Sequence, residues 1–158
     1  GTYEEFINEG FHAELKKVGE PYPNVGKDIA ILKIDKEGFK GLKLGTSKTL
    51  KPGSKIYVLG YPAVADLNDS GLTQPTFTSG IVSAFKKASQ GDYQVIQIDA
   101  GVSGGNSGGP AFNDKGEIVG IATFGSNQKE GYNWILPIEL GKEFLDELNV
   151  KYTTAEEK

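Results

Sequence analysis

Apolar residues along this chain gather in short runs separated by glycine, proline and asparagine. The runs are Ile29 to Ile34, Ile56 to Leu59, Phe77 to Phe85, Tyr93 to Ile98, Ala111 to Phe112, Ile118 to Phe124 and Trp134 to Leu136. They are rich in valine, isoleucine and aromatic residues, and many lie about ten to twenty residues apart, which predicts strands of an antiparallel sandwich or barrel. Asn113-Asp114-Lys115-Gly116 is a turn ending in glycine, so Pro110 to Phe112 and Glu117 to Thr123 read as a hairpin. A different period governs Ile138 to Leu148. There Ile138, Leu140, Phe144, Leu145 and Leu148 recur at helical spacing and predict one amphipathic helix capping the sheet. The segment up to Gly19 reads as strand, and residues 151–158 read as a frayed end or linker.

Composition narrows the class. The chain has 158 residues with 37% apolar and 24% charged positions, enough for a folded, single-cored unit. Its net charge is −4 and every basic residue is lysine, which argues against nucleic acid as a partner, because phosphate and guanine recognition favours arginine on a basic surface. Cysteine is absent, so disulfides, thiolate metal sites and cysteine nucleophiles are excluded. No apolar run approaches the roughly 18 residues of a membrane span, so no membrane insertion by this segment is expected. Methionine is also absent, and Gly1 is therefore read as the start of a processed product or an excised fragment.

The stretch Gly104-Gly105-Asn106-Ser107-Gly108-Gly109-Pro110 crowds four glycines around one serine. Read literally it contains G-x-S-x-G, the nucleophile elbow of α/β-hydrolases. That elbow requires a helix directly after the serine and a histidine later in the chain, whereas here a proline and a strand follow and no histidine does. A second arrangement uses the same residues. Glycines let the backbone turn amide hydrogens inward beside the serine, so that Gly105 and Ser107 could bind the oxyanion of an acyl-transfer intermediate.

With that loop, the chain carries Asp28-Ile29-Ala30-Ile31-Leu32-Lys33-Ile34-Asp35, Val58-Leu59-Gly60-Tyr61-Pro62, Thr78-Ser79-Gly80-Ile81-Val82-Ser83, Ile96-Gln97-Ile98-Asp99-Ala100 and Val119-Gly120-Ile121 in one order. In these words it resembles the trypsin-like, chymotrypsin-fold serine proteases, in particular the bacterial Deg/HtrA group. The resemblance implies an all-β architecture: a complete C-terminal antiparallel barrel, part of an N-terminal barrel, and a C-terminal helix. It divides the chain into residues 1–45, the remnant of the first barrel with the triad aspartate, residues 46–150, the second barrel, and the tail 151–158. It implies Ser107 as nucleophile, Asp28 as the acid that orients a histidine, and Gly105 and Ser107 as oxyanion amides. Thr123, Phe124 and Gly125 would pair with the substrate backbone, while Gly101 to Gly104 and Trp134 to Leu136 would border the pocket for the residue before the cut. Asp99 is expected to cap a strand end and Asp35 to lie at the surface.

One part of the triad departs from this pattern. A serine hydroxyl needs a neighbouring base, histidine in this family, and the chain holds only His12. Gly10-Phe11-His12-Ala13-Glu14 lacks the small-small-histidine word, and the resemblance implies a base a few tens of residues ahead of Asp28. His12 is therefore read as a surface residue of the strand leading to Asp28. The expected function is a serine endopeptidase present as a fragment without its histidine and nearly inactive alone. The alternative is a catalytically silent protease-like domain that binds peptides or partners. Polypeptide substrates, the missing N-terminal segment and further copies of the chain are the partners named; no cofactor or metal is expected. Asp66, Asn68 and Ser70 alternate as calcium ligands do, but Phe77 stands where an EF-hand needs glutamate. The absence of aspartate near Gly101 disfavours basic residues before the cut and leaves small or medium apolar ones. An exported location, extracellular or in the cell envelope, is implied by the bacterial members of the group.

Overall fold

The computed structural model describes residues 10–20, 27–61, 75–88, 92–125 and 132–155. The possible calcium ligands Asp66, Asn68 and Ser70 lie outside the described residues. Six strands close into one antiparallel barrel: β3 (Lys55–Gly60), β4 (Thr76–Lys87), β5 (Gln94–Ile98), β6 (Pro110–Phe112), β7 (Ile118–Gly125) and β8 (Asn133–Pro137), in the order β3-β4-β5-β8-β7-β6. Alternation decides what faces inward. Ile56 and Val58 of β3, Ile96 and Ile98 of β5, Val119 of β7 and Ile135 of β8 are all at most 1% exposed and fill the lumen. Closure leaves the barrel without an open sheet edge along most of its circumference.

The expected hairpin is the β6–β7 pair. Its turn is built by one side chain: Asn113 Oδ1 accepts from the amides of Lys115 and Glu117, both at 3.0 Å, while Gly116 takes a φ of 73°. Asp99 accepts from the Ile81 amide at 2.6 Å, tying the end of β5 to the middle of β4.

The remaining strands, β1 (Ala13–Val18) and β2 (Ala30–Ile34), form a separate two-stranded antiparallel sheet. One side of β2 packs with Ile29 and Ile31 onto α1 (Ile138–Glu147), where Leu140 and Phe144 make a second core with Val95 and Leu136 on the outer wall of the barrel. Helix α1 begins where the sequence pattern expects it, and its first turn is anchored by Glu139. That carboxylate accepts from Thr46 Oγ1 (2.7 Å), Ser47 N (2.9 Å) and Ser47 Oγ (2.6 Å). Burial pushes its pKa up, but hydrogen bonds from Ser47, Thr46 and the backbone outweigh burial and hold it below the ordinary value. Of the polar tail, Thr153 and Ala155 hydrogen-bond the backbone of Leu44. No helix among the described residues is long and apolar enough to cross a membrane.

Candidate active site

The serine loop is pinned from both ends by backbone hydrogen bonds. The Asn106 amide donates to Ser103 O at 3.0 Å and the Gly109 amide to Asn106 O at 2.9 Å, closing two tight turns. Gly108 N donates to Ala122 O (2.8 Å) and Ala122 N to Gly109 O (2.9 Å), stitching the loop to β7. Gly105 and Gly108 adopt φ values of 99° and 84°, a left-handed backbone in which a side chain would be strained. Two amides inside this stretch, those of Gly105 and Ser107, donate no hydrogen bond among the described residues. Between them Asn106 is 2% exposed, and its buried Oδ1 has no hydrogen-bond partner among the described residues.

Ser107 is exposed, and its hydroxyl donates to Thr123 O at 2.7 Å. Thr123 Oγ1 in turn donates to Asp28 Oδ2 at 3.2 Å. Three residues singled out from sequence are therefore gathered around one point, although Asp28 precedes β2 and Ser107 lies between barrel strands. The Thr123 hydroxyl is the link that sequence reasoning missed, since it had given that residue a main-chain role only. Burial, and after it the negative charge of Asp28, raises the pKa of Tyr93, whose phenol thus senses the carboxylate.

Phe124 and Gly125 continue β7, paired to Trp134 and Asn133 of β8. On the opposite edge β6 pairs no further than Ile121, so beyond the Gly108–Ala122 stitch this edge of β7 is bonded, among the described residues, only through Thr123 O. Of the pocket border expected at Trp134 to Leu136, the last two residues need correction, while Trp134 is half-buried. Ile135 is 0% exposed and Leu136 2%, because strand alternation sends one into the barrel lumen and the other under α1. In their place, buried Asn133 ties the Ala100 carbonyl with a 2.8 Å bond from Nδ2, bracing the start of the serine loop.

His12 is exposed and stands at the far end of the hairpin. It adjoins Ala13, which pairs with Ile34, whereas Asp28 lies just before the opposite end of β2. At about 3.3 Å per strand residue, roughly 20 Å separates the two ends. Among the described residues no group of three or more His, Asp or Glu is placed to hold a metal ion.

Comparison with known proteins agrees with this architecture. Residues 5–121 match the trypsin-like peptidase domain family. The chain is 33% identical over 147 residues to a probable periplasmic serine endoprotease, DegP-like, of Halomonas elongata, covering 90% of this chain and 29% of that protein. It is 38% identical over 138 residues to Protease Do-like 2, chloroplastic, of Arabidopsis thaliana, covering 80% of this chain and 21% of the relative. Among solved structures, the HtrA-type protease AlgW with decapeptide superposes with a TM-score of 0.71 at 28% identity, over 88% of this chain and 41% of that one. The chain thus spans less than a third of the length of these two sequence relatives. With residues 5–121 matched by that family, the chain belongs to the trypsin-like peptidase domain family.

Proposed function

We propose that this chain carries the nucleophile, the orienting acid and the oxyanion amides of a serine endopeptidase of the Deg/HtrA type, and that the base comes from elsewhere. The observation that carries the reading is the chain of contacts from Ser107 Oγ through Thr123 to Asp28, beside two amides that donate no hydrogen bond among the described residues. In the reaction a base would take the Ser107 proton as Oγ attacks the scissile carbonyl. The Gly105 and Ser107 amides would meet the oxygen on which charge develops, and Asp28 would steady the protonated base. At Thr123, Phe124 and Gly125 the edge of β7 away from β8 pairs with no strand among the described residues, and it would align the substrate main chain as an added strand. AlgW, solved with a decapeptide, supports a polypeptide as the bound substrate.

In this arrangement the Ser107 hydroxyl points its hydrogen at a backbone carbonyl, which does not activate it. His12 stands too far from Asp28 to serve as base, so the 158 residues alone should be nearly inert toward peptides. Loss of a triad member commonly costs about 10⁴ to 10⁶ in rate. The periplasmic relative favours export to the cell envelope, and the chloroplastic one shows that the family serves other compartments. The position of His12 also favours a second reading, a silent domain that binds peptides without cutting them.

Added imidazole separates the two. If the site is a protease lacking its base, imidazole accelerates labelling of Ser107 by a fluorophosphonate, and Ser107→Ala abolishes the label. Labelling that imidazole leaves unchanged points to the silent domain.

A further inference from the structure

Asn106 stands between the two amides assigned to the oxyanion, and both its backbone and its side chain are held. Its N–H donates to Ser103 O at 3.0 Å, and its carbonyl accepts from Gly109 N at 2.9 Å. Its side chain is buried against Gly60, the last residue of β3. A Cβ on Gly60 would stand 2.9 Å from both Cα and Cγ of Asn106 and closer still to Oδ1, so only glycine leaves room there. The hydrogen that Gly60 carries in that direction therefore points at Oδ1, an oxygen that accepts from no N–H or O–H among the described residues. Gly109, which closes the turn, stands in the same relation to the neighbouring residue of β3: a Cβ on it would strike Leu59 O.

The end of β3 is thus a platform on which the serine loop sits backbone to backbone. It is a firm one, because β3 pairs with β4 along its whole length and with β6 at Tyr57 and Val58. Peptide geometry carries the position of the platform to the site. The Asn106 carbonyl and the Ser107 N–H belong to one planar trans unit and point in opposite directions. Holding the carbonyl toward Gly109 N therefore turns the Ser107 N–H the other way. On the other side, the Asn106 N–H fixes the plane it shares with the Gly105 carbonyl, and the φ of 99° at Gly105 sets the Gly105 N–H from there. A buried amide oxygen without an N–H or O–H donor costs stability, and a residue that breaks a local rule in this way is expected where a site requires it.

We propose that Asn106, seated on Gly60, is a positioning residue for the oxyanion amides, that of Ser107 foremost, and that the bare backbone of Gly60 makes the seat. The inference rests on the endopeptidase reading and deepens it by naming what aims the amides. Both residues act through the peptide planes beside Ser107 and not by touching the substrate.

The test uses the whole, isotope-labelled chain and follows the amide protons of Gly105 and Ser107 by NMR before and after fluorophosphonate labelling, with imidazole supplied as base. In that step Ser107 Oγ displaces fluoride from phosphorus, the base takes the proton, and the phosphonyl oxygen stands in for the oxyanion. In the wild-type adduct both amide protons should move downfield as they donate to that oxygen. In the Asn106→Ala adduct the Ser107 amide should stay where it was, and labelling should slow about 10²-fold, the loss that follows removal of one oxyanion donor. Gly60→Ala should do the same, and the double variant should lose no more than either single one, as two parts of one device do. The thermal midpoint of Asn106→Ala should remain within about 4 °C of the wild type, so that unfolding does not account for the slowing. A Ser107 amide that moves in the Asn106→Ala adduct as it does in the wild type overturns the proposal. So does a double variant whose loss is the product of the two single ones. If Gly60→Ala does not fold, the Asn106→Ala adduct decides alone. If imidazole fails to accelerate labelling of the wild type, the endopeptidase reading falls, while the amide shifts of the slowly formed adducts still decide whether Asn106 aims the amides.

Discussion

The barrel and the β1–β2 hairpin are built from the same kinds of residues and have opposite fates. In the barrel, alternate apolar side chains meet those of five other strands, and Ile56, Ile96, Ile98 and Ile135 lose all contact with water. In the hairpin the same alternation produces one side that packs on α1 and another, with Leu15 and Leu32, that stays wet. The difference lies in closure and not in composition: a strand's inward face has value only when other strands complete the enclosure. The proposed catalytic residues divide along the same line, with Ser107 on the closed region and Asp28 at the root of the open one. Thr123 bridges them with one atom each, its carbonyl to the serine and its hydroxyl to the aspartate.

This contrast is open to direct attack by substitution. Ile98→Ala in the barrel lumen removes fully buried methyl groups and leaves a void, and chemical denaturation should show a loss of about 2–5 kcal/mol. An effect below 1 kcal/mol would mean that the barrel is far looser than its burial implies. Glu139→Gln should come next, costing about 1–3 kcal/mol, because it weakens the charged acceptor that three donors from Thr46 and Ser47 share. The pH dependence has a defined sign. The folded-state pKa of Glu139 lies below its ordinary value of 4.5, so its stabilising contribution is fully present above about pH 4.5 and is lost as pH falls through the folded value. The wild type should therefore lose stability on acidification across that window, and the Gln variant should lose less. The smallest effect belongs to the hairpin: Leu32→Ser should change stability by no more than about 0.5 kcal/mol, since that side chain is already in water. A larger loss would show that Leu32 is covered after all.

Most of the barrel was legible before any coordinates because its strands are short, β-branched and punctuated by turn residues. The Asn113 turn and the helix from Ile138 were legible for the same reason, since each depends on local spacing. Asp28 and Ser107 emerged from short words in a recognisable order. What escaped were pairs that exist only once the fold has closed. Thr123 to Asp28 and Glu139 to Ser47 join residues more than ninety positions apart, and nothing local to either partner announces the other. The misplacement of Ile135 and Leu136 at the pocket has a related cause. Strand parity tells that neighbours face opposite ways, but not that both sides of β8 are covered, one by the lumen and one by α1.

The central claim is that these 158 residues hold a protease site without its base, and the rate at which the unmodified chain alone reacts at Ser107 tests it most directly. Intact-mass measurement of fluorophosphonate adducts, run beside AlgW, should find the chain reacting at least about 10³-fold more slowly, and equally slowly in His12→Ala. Fast, stoichiometric labelling that His12→Ala abolishes would contradict the account, because it would place the base inside the chain at the one histidine assigned here to the far end of the hairpin.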